Sequence, residues 1–245
     1  MDTLRLWINR LLGRDTVLDT ELLGVPLRLA VQARRELRRI HSISAEAPFV
    51  QRMFEFLSSG DVVFDVGANI GLTGLLLAQH STKARRIHCF EPEPQNFESL
   101  RRNISENRLS ERVFAHRLAL TDESGKAVLF VRGGPGEGRH SMVTAKGSKA
   151  SIRIPALSAS DFVASQGQAP DLVKIDVEGA EGRVLAGMEP LFQQRRPREV
   201  FLELHLKGDG ERMPGGCPIR EWMARQGYEL VWEAGRGRTR HVHFR

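Results

Sequence analysis

The stretch VVFDVGANIGLTGLLL, Val62 to Leu77, decides how the rest of the chain is read. Val62-Val63-Phe64 is a short apolar run after Gly60, closed by Asp65, the composition of a buried parallel strand. Gly67-Ala68-Asn69-Ile70-Gly71 is a tight turn of small residues, and Leu72 to Ala78 continues as an apolar helix. A strand, a glycine-rich turn and a helix in that order make a ligand cradle. Glycine lets the backbone approach a ligand, and the first helical turn has N–H groups to offer. The spacing is Asp65-x-Gly67-x-Asn69-x-Gly71, not G-x-G-x-x-G. A helix N-terminus alone suits an anionic pyrophosphate. An acid at the strand end suits a ligand with positive charge, and S-adenosylmethionine, with its sulfonium and amino groups, meets that description.

Downstream of the cradle, strand and helix alternate. Strands are expected at Ile87–Phe90, Val113–Leu120, Leu172–Val177 and Val200–His205, with helices at Gln95–Asn107, Ala159–Ser165, Ala180–Met188 and Ile219–Arg225. This rhythm predicts an α/β fold with a mostly parallel sheet covered by helices on both faces. Tyr228–Glu233 and His241–Phe244 read as a final antiparallel pair. Lys126–Val131 and Ile152–Ile154 read as a strand pair around a Gly-rich loop, Gly133–Gly147, which is expected as a flap over the substrate, with a plain surface excursion as the alternative. Upstream, Phe49, Val50, Met53, Phe54 and Leu57 recur at helical spacing over Pro48–Leu57, and Gln32–Ile40 reads as a helix with solvated arginines. Leu23-Gly24-Val25-Pro26 is a turn between two short strands. In residues 1–16, Leu4, Trp7, Ile8, Leu11 and Leu12 share a helical face. Such a helix packs on the domain or on a second copy in a homodimer; a peripheral membrane contact is the sharper alternative. The expected division is therefore an N-terminal extension over residues 1–47 and one catalytic domain over residues 48–245.

The bulk properties narrow the class. The 245 residues suffice for one good core. A net charge of +6 with a pI near 9.9 permits an acidic partner, but there is no nucleic-acid-binding motif, so a nucleic-acid partner is not expected. Two cysteines, Cys89 and Cys217, form no disulfide framework and point to a reducing cytoplasm. No apolar run reaches the roughly 18 residues of a membrane span, and no signal-peptide core is visible.

Several residues carry chemistry. Asp65 is placed to hold the turn or the positive end of a ligand. Glu91 closes the second strand, where nucleotide-binding folds put the acid that accepts ribose hydroxyls. Ala119-Leu120-Thr121-Asp122 lies where an adenine ring would rest, although Asp122 with Gly125 also reads as an ordinary turn. Lys174-Ile175-Asp176-Val177-Glu178-Gly179-Ala180-Glu181 ends the fourth strand; Lys174 and Asp176 share a strand face and can form an ion pair, and Glu178 and Glu181 can cap the next helix. Glu203-Leu204-His205 ends the fifth. Polar groups at two successive strand ends are unusual for buried strands. Asp176, Glu203 and His205 can converge there as a general base assembly, with Asp176 or His205 as base and Glu203 orienting His205, or as ligands for a divalent metal. No tight ligand spacing singles out a metal, so the base ranks first.

Taken together, Asp65–Gly71, Phe90-Glu91-Pro92, Ala119–Asp122, Lys174–Glu181 and Glu203-Leu204-His205 resemble the FkbM-type methyltransferase family, in the family's order from about Gly60 to His205. The resemblance implies a class I, Rossmann-like methyltransferase fold: a three-layer sandwich around a seven-stranded sheet with an antiparallel last strand. It implies S-adenosylmethionine as cofactor and methylation of a hydroxyl oxygen, often on polyketide or carbohydrate products. By the same match, Asp65, Gly67 and Asn69 line the methionine side and Glu91 binds ribose; Ala68 and Gly71 of the same turn count among the cofactor-binding residues, and Ala119, Leu120 and Asp122 are assigned to the adenine by their place after the third strand. An RNA methyltransferase, a nicotinamide-dependent oxidoreductase and a non-catalytic methyltransferase-like scaffold are the competing readings.

Overall fold

A computed structural model of the chain describes residues 16–31, 34–81, 84, 86–132, 148–205 and 211–245. The expected helix over residues 1–16, except Thr16, and the expected flap over 133–147 lie outside the described residues. The chain enters as an antiparallel hairpin, β1 (Thr16–Leu22) and β2 (Val25–Val31). Its two turn residues, Leu23 and Gly24, have φ of 53° and 77°, the paired positive φ values of a tight hairpin turn. Helix α1 (Arg34–Ser42), a 3₁₀ turn (Ile43–Glu46) and α2 (Ala47–Phe56) follow.

The alternating part runs β3 (Val62–Val66), α3 (Leu72–His80), β4 (Arg86–Phe90), α4 (Pro94–Glu106) and β5 (Val113–His116). A small sheet interrupts it with β6 (Ala119–Leu120), β7 (Gly125–Arg132) and β8 (Ser148–Leu157). The chain resumes with α5 (Ala159–Gln166), β9 (Leu172–Ile175), α6 (Glu181–Ala186), α7 (Glu189–Phe192), β10 (Glu199–His205), α8 (Ile219–Arg225), β11 (Leu230–Arg236) and β12 (Thr239–Phe244). The central sheet has seven strands in the order β11-β12-β10-β9-β3-β4-β5. The last strand, β12, is antiparallel to both neighbours, and the pairings from β10 across to β5 are all parallel.

Period-two alternation explains the two cores. On β3, Val63 points into a cluster with α2, α3, α4 and β2, whereas Val62, Phe64 and Val66 point into a cluster with α5, α6, α7 and α8. Asp65 must share the face of Val63. The result is the expected three-layer sandwich.

One expected element is corrected. The apolar run Val113–Leu120 is not one strand. Val113–His116 pairs with β4, while Ala119 and Leu120 pair in parallel with Ala156 and Leu157 of β8. Apolar composition reads through the break because both halves are buried, but they belong to different sheets.

The amino-terminal hairpin is fastened to the central layer by two asparagines on α4. Asn103 accepts a hydrogen bond from Ala30 N at 2.8 Å and donates to Ile70 O at 2.8 Å. Asn107 accepts from Arg28 N at 2.9 Å and donates to Arg28 O at 2.7 Å. Both side chains thus continue the edge of β2, and Asn103 also ties it to the turn after β3. Asn103→Ala leaves buried partners unmatched, so stability should fall by about 2–4 kcal/mol, read as a lower denaturation midpoint in urea.

Candidate active site

A cleft opens at the carboxyl ends of β3, β4 and β9, where open parallel sheets bind ligands. One wall is the turn after β3, with Gly67 and Asn69, together with Phe90, Glu91 and Pro92 after β4. The opposite wall is Asp176, Val177 and Glu178 after β9, with Arg39 from α1. Ala119, Leu120 and Leu129 of the small sheet line the cleft as well.

Beneath the cleft lies a buried cation. The β3–β9 register sets Asp65 beside Lys174, so both side chains enter the same apolar face. Lys174 Nζ lies 3.1 Å from Asp65 Oδ1, donates to Gly67 O at 3.1 Å, and sits 3.7 Å from Asp176 Oδ2. Burial opposes the lysine's charge, but Asp65 and Asp176 more than offset it and hold its pKa above the usual range. Asp65 also accepts from Gly74 N at 3.1 Å, in the first turn of α3. Its carboxylate is fully buried and is not part of the cleft lining. Of its two expected roles, the geometry favours holding the turn over touching the ligand.

The turn itself is tightly specified. Gly67 has φ +77°, and a Cβ there would sit 1.9 Å from the carbonyl oxygen of Asp176. The N–H groups of Gly67 and Ala68 both donate to Phe90 O at 3.0 Å, which joins the turn to β4. Gly71 N donates to Ala68 O at 2.8 Å and Gly71 O accepts from Leu75 N at 2.9 Å, so this residue starts α3 away from the cleft lining. Glu91 accepts from Asn69 N at 2.8 Å and from Glu93 N at 2.9 Å. Burial raises its pKa to about 7 against the pull of those two backbone bonds. Asp122 is turned away from the lining. Its carboxylate accepts from Arg183 Nε at 2.8 Å and from the Thr121 hydroxyl at 2.8 Å, and Arg183 holds its pKa low although burial acts the other way.

Asp176, Glu203 and His205 do converge, each offering a donor atom within 4.8 Å of the others. Their connections differ from expectation in one respect. The acid that orients His205 is Glu181, 2.8 Å from Nδ1 and fully buried, not Glu203. Glu203 instead lies 3.2 Å from His241 Nε2. Burial pushes Glu203 up, but His241 outweighs it and holds the carboxyl well below its usual range. Burial likewise opposes a charge on His205, yet Glu181, Asp176 and Glu178 raise its pKa to about 10. Glu178 faces the cleft at φ 53°, 3.5 Å from His205 Nε2; burial, with the charge of Asp176, lifts it to about 7.

Two groups here escape a sequence reading. Arg39, expected to be solvated, lies 3.0 Å from Glu46 and 3.8 Å from Asp176, with only 27% of its side chain exposed. Its helix joins the site through packing, which no local pattern encodes. Glu181 carries the composition of a helix cap, and its link to His205 exists only once β9 and β10 lie side by side. Glu178 was legible as a cap; its place on the cleft wall was not.

The strand order, the reversed last strand and a cleft at the head of β3 define the class I methyltransferase fold. Residues 65–230 match the family model of the methyltransferase FkbM domain, and the chain belongs to that family. It is similar to the hexuronic acid methyltransferase AglP of Haloferax volcanii, 31% identical over 82% of this chain and 80% of that protein. It is also similar to the 31-O-demethyl-FK506 methyltransferase FkbM of Streptomyces tacrolimicus, 34% identical over 61% of this chain and 67% of that one. The crystal structure of a methyltransferase FkbM from Methylobacillus flagellatus KT superimposes with a TM-score of 0.54 at 17% identity; the match covers 77% of this chain and 44% of the other, and it supports the fold alone. The chain is an S-adenosylmethionine-dependent methyltransferase.

Removing the buried cation should be severe. Lys174→Met strands Asp65 as an uncompensated charge, so stability should drop by about 3–5 kcal/mol. Adding Asp65→Asn should restore much of that loss in the same calorimetric scan.

Proposed function

We propose that the enzyme methylates a hydroxyl oxygen on a saccharide or polyketide product, with the cofactor along the Gly67–Glu91 wall and the acceptor against Asp176 and Glu178. The observation that carries this reading is that both walls face one cleft across the Lys174 cluster. The names of the two relatives support the acceptor class, since one acts on a hexuronic acid and the other at an oxygen of FK506.

The cradle fits S-adenosylmethionine in its own terms. The Gly67 position leaves no space for a side chain, and Glu91 presents a carboxylate with acceptor capacity beyond its two backbone bonds. Gly67, Ala68 and Asn69 would hold the methionine portion, Glu91 the ribose hydroxyls, and Ala119 and Leu120 the adenine. When bound, the cofactor supplies an electrophilic methyl group.

The chain's task on the other wall is to orient an acceptor hydroxyl and take its proton, because a neutral hydroxyl is a weak nucleophile. Asp176 lines the cleft, with Lys174 beneath it and Arg39 beside it on the same wall. Glu178, lifted to about 7, is a second proton acceptor on the same wall. His205 carries a proton near neutral pH and stands as a donor beside them. Cys89 and Cys217 are free thiols, in keeping with a reducing compartment, and we place the enzyme in the cytoplasm. Among the described residues, no helix is long and apolar enough to cross a membrane.

Methyl transfer from labelled S-adenosylmethionine to a panel of uronic acids, neutral glycosides and polyketide alcohols tests the acceptor class. Transfer only to amines or RNA would sink it. In that assay, Asp176→Asn should keep cofactor affinity within about threefold and reduce kcat by about 10²–10⁴; unchanged turnover removes Asp176 from the reaction. Cofactor affinity should also depend on pH through Glu91. Below about 7 its carboxyl is protonated and loses an acceptor position, so affinity should weaken by up to about tenfold per pH unit and recover as pH rises. Calorimetric titration of Glu91→Gln should show weaker binding that no longer varies across this range.

A further inference from the structure

We propose that Asp176, Glu203 and His205 form a binding site for one divalent cation at the edge of the acceptor wall. The strands place the donors. Ile175 and Leu202 are partners in the parallel β9–β10 register, so Asp176 and Glu203 leave the sheet side by side. His205 lies two residues beyond Glu203 and therefore on the same strand face. One donor atom from each falls within 4.8 Å of the other two. An octahedral ion with bonds of about 2.1 Å needs its ligands roughly 3.0 Å apart when adjacent and roughly 4.2 Å apart when opposite, so small side-chain rotations close the set.

The set is more than a group of acids. It combines two carboxylates with an imidazole, a mixture that suits manganese and its neighbours. The imidazole is already oriented: Glu181 holds Nδ1 at 2.8 Å, which leaves Nε2 to face Glu178 at 3.5 Å. A carboxylate behind a ligating histidine is the usual outer support of a metal site. Glu181 itself is fully buried, and its second oxygen, Oε2, has no hydrogen-bond partner among the described residues. The side-chain cations near this wall have closer commitments elsewhere. Lys174 is nearer to Asp65, at 3.1 Å, than to Asp176, at 3.7 Å, and Arg39 is nearer to Glu46, at 3.0 Å, than to Asp176, at 3.8 Å. Asp176, Glu178 and Glu181 thus concentrate negative charge around a single histidine. Glu203 has about four acceptor positions and can keep His241 while ligating. Ligation displaces the proton that the imidazole otherwise carries.

The cation's role rests on the proposed methyl transfer. Beside Asp176 it would coordinate the acceptor oxygen, fix its position and lower the pKa of its hydroxyl. Its existence can be tested without turnover. Mn²⁺ titrated into the full chain, without S-adenosylmethionine, should bind one ion per chain by electron paramagnetic resonance, with Mg²⁺ competing. Asp176→Asn and Glu203→Gln should each weaken binding at least about tenfold, and Glu181→Gln by about 10–100-fold through the histidine. Circular dichroism and S-adenosylmethionine calorimetry identify any variant that merely unfolds; the wild-type stoichiometry stands independently of them. No Mn²⁺ bound at millimolar concentration, or equal binding by folded Asp176→Asn and Glu203→Gln, overturns the site. Undiminished methyl transfer in EDTA overturns its role and leaves the methyltransferase reading intact. Stoichiometric Mn²⁺ binding that needs the three residues, with no transfer to any hydroxyl, supports the site and sinks the acceptor class instead.

Discussion

Lys174 carries a positive charge into the apolar layer between the sheet and α3, and the geometry of the site follows from what it binds there. Asp65 is its partner across the β3–β9 register, the carbonyl of Gly67 in the turn after β3 accepts its hydrogen bond, and Asp176 lies at the edge of its reach. A buried pair of this kind is a poor source of net stability, because removing two charges from water offsets most of their attraction. Its effect here is positional. One ammonium group ties the turn that cradles the cofactor to the strand end that faces the acceptor. The close approach of Gly67 to the Asp176 carbonyl completes the tie on the backbone side. The two halves of the cleft are therefore fixed relative to one another through a buried pair, Lys174 and Asp65, that is absent from its lining.

The apolar layers support this arrangement from two sides. One core holds the face of Val63, Ile87 and Leu172; the other holds Phe64, Phe90 and Val173. The residues ahead of the alternating pattern add to the first core, with Leu27 and Leu29 of the hairpin and Ile40 of α1 packed into it. Asn103 and Asn107 then fix the hairpin through backbone hydrogen bonds, which are directional where apolar contact is not. That docking carries Arg39 to Asp176. Residues that look like a leader to the domain thus contribute a guanidinium to its site.

The titration behaviour of the cleft has a single physical origin. Carboxyl groups are crowded into a region with little water, so each is pressed towards its neutral form unless a specific partner intervenes. Glu91 and Glu178 lack a sufficient counter-charge and rise to about 7. Glu203 has His241 and stays ionised. His205, surrounded by Glu181, Asp176 and Glu178, keeps its proton to about 10. On the wall after β9 neighbouring carboxylates help Glu178 and His205 keep their protons, whereas Glu91 on the opposite wall is raised chiefly by burial.

The sequence by itself determined the sheet and the cradle, because both depend on local rules. Apolar runs of strand length, helical spacing and small turn residues are written along Val62–Leu77 and repeated downstream, and period-two alternation assigns each strand residue to a face. The same rules brought out Glu91, Asp176, Glu203 and His205 as polar residues at strand ends. Local rules stop where two distant segments meet. Nothing near Asp65 says that Lys174 will neutralise it, so its burial beneath the turn could not be told from contact with a ligand. The break after His116 is invisible because an apolar run does not record which strand it pairs with. Arg39 looks like any solvated arginine, and Glu181 like any helix cap, until tertiary packing brings the first to Asp176 and the second to His205. The tertiary structure alone decided these points, because hydrogen bonds and ion pairs are chosen by distance in space, which sequence separation does not measure.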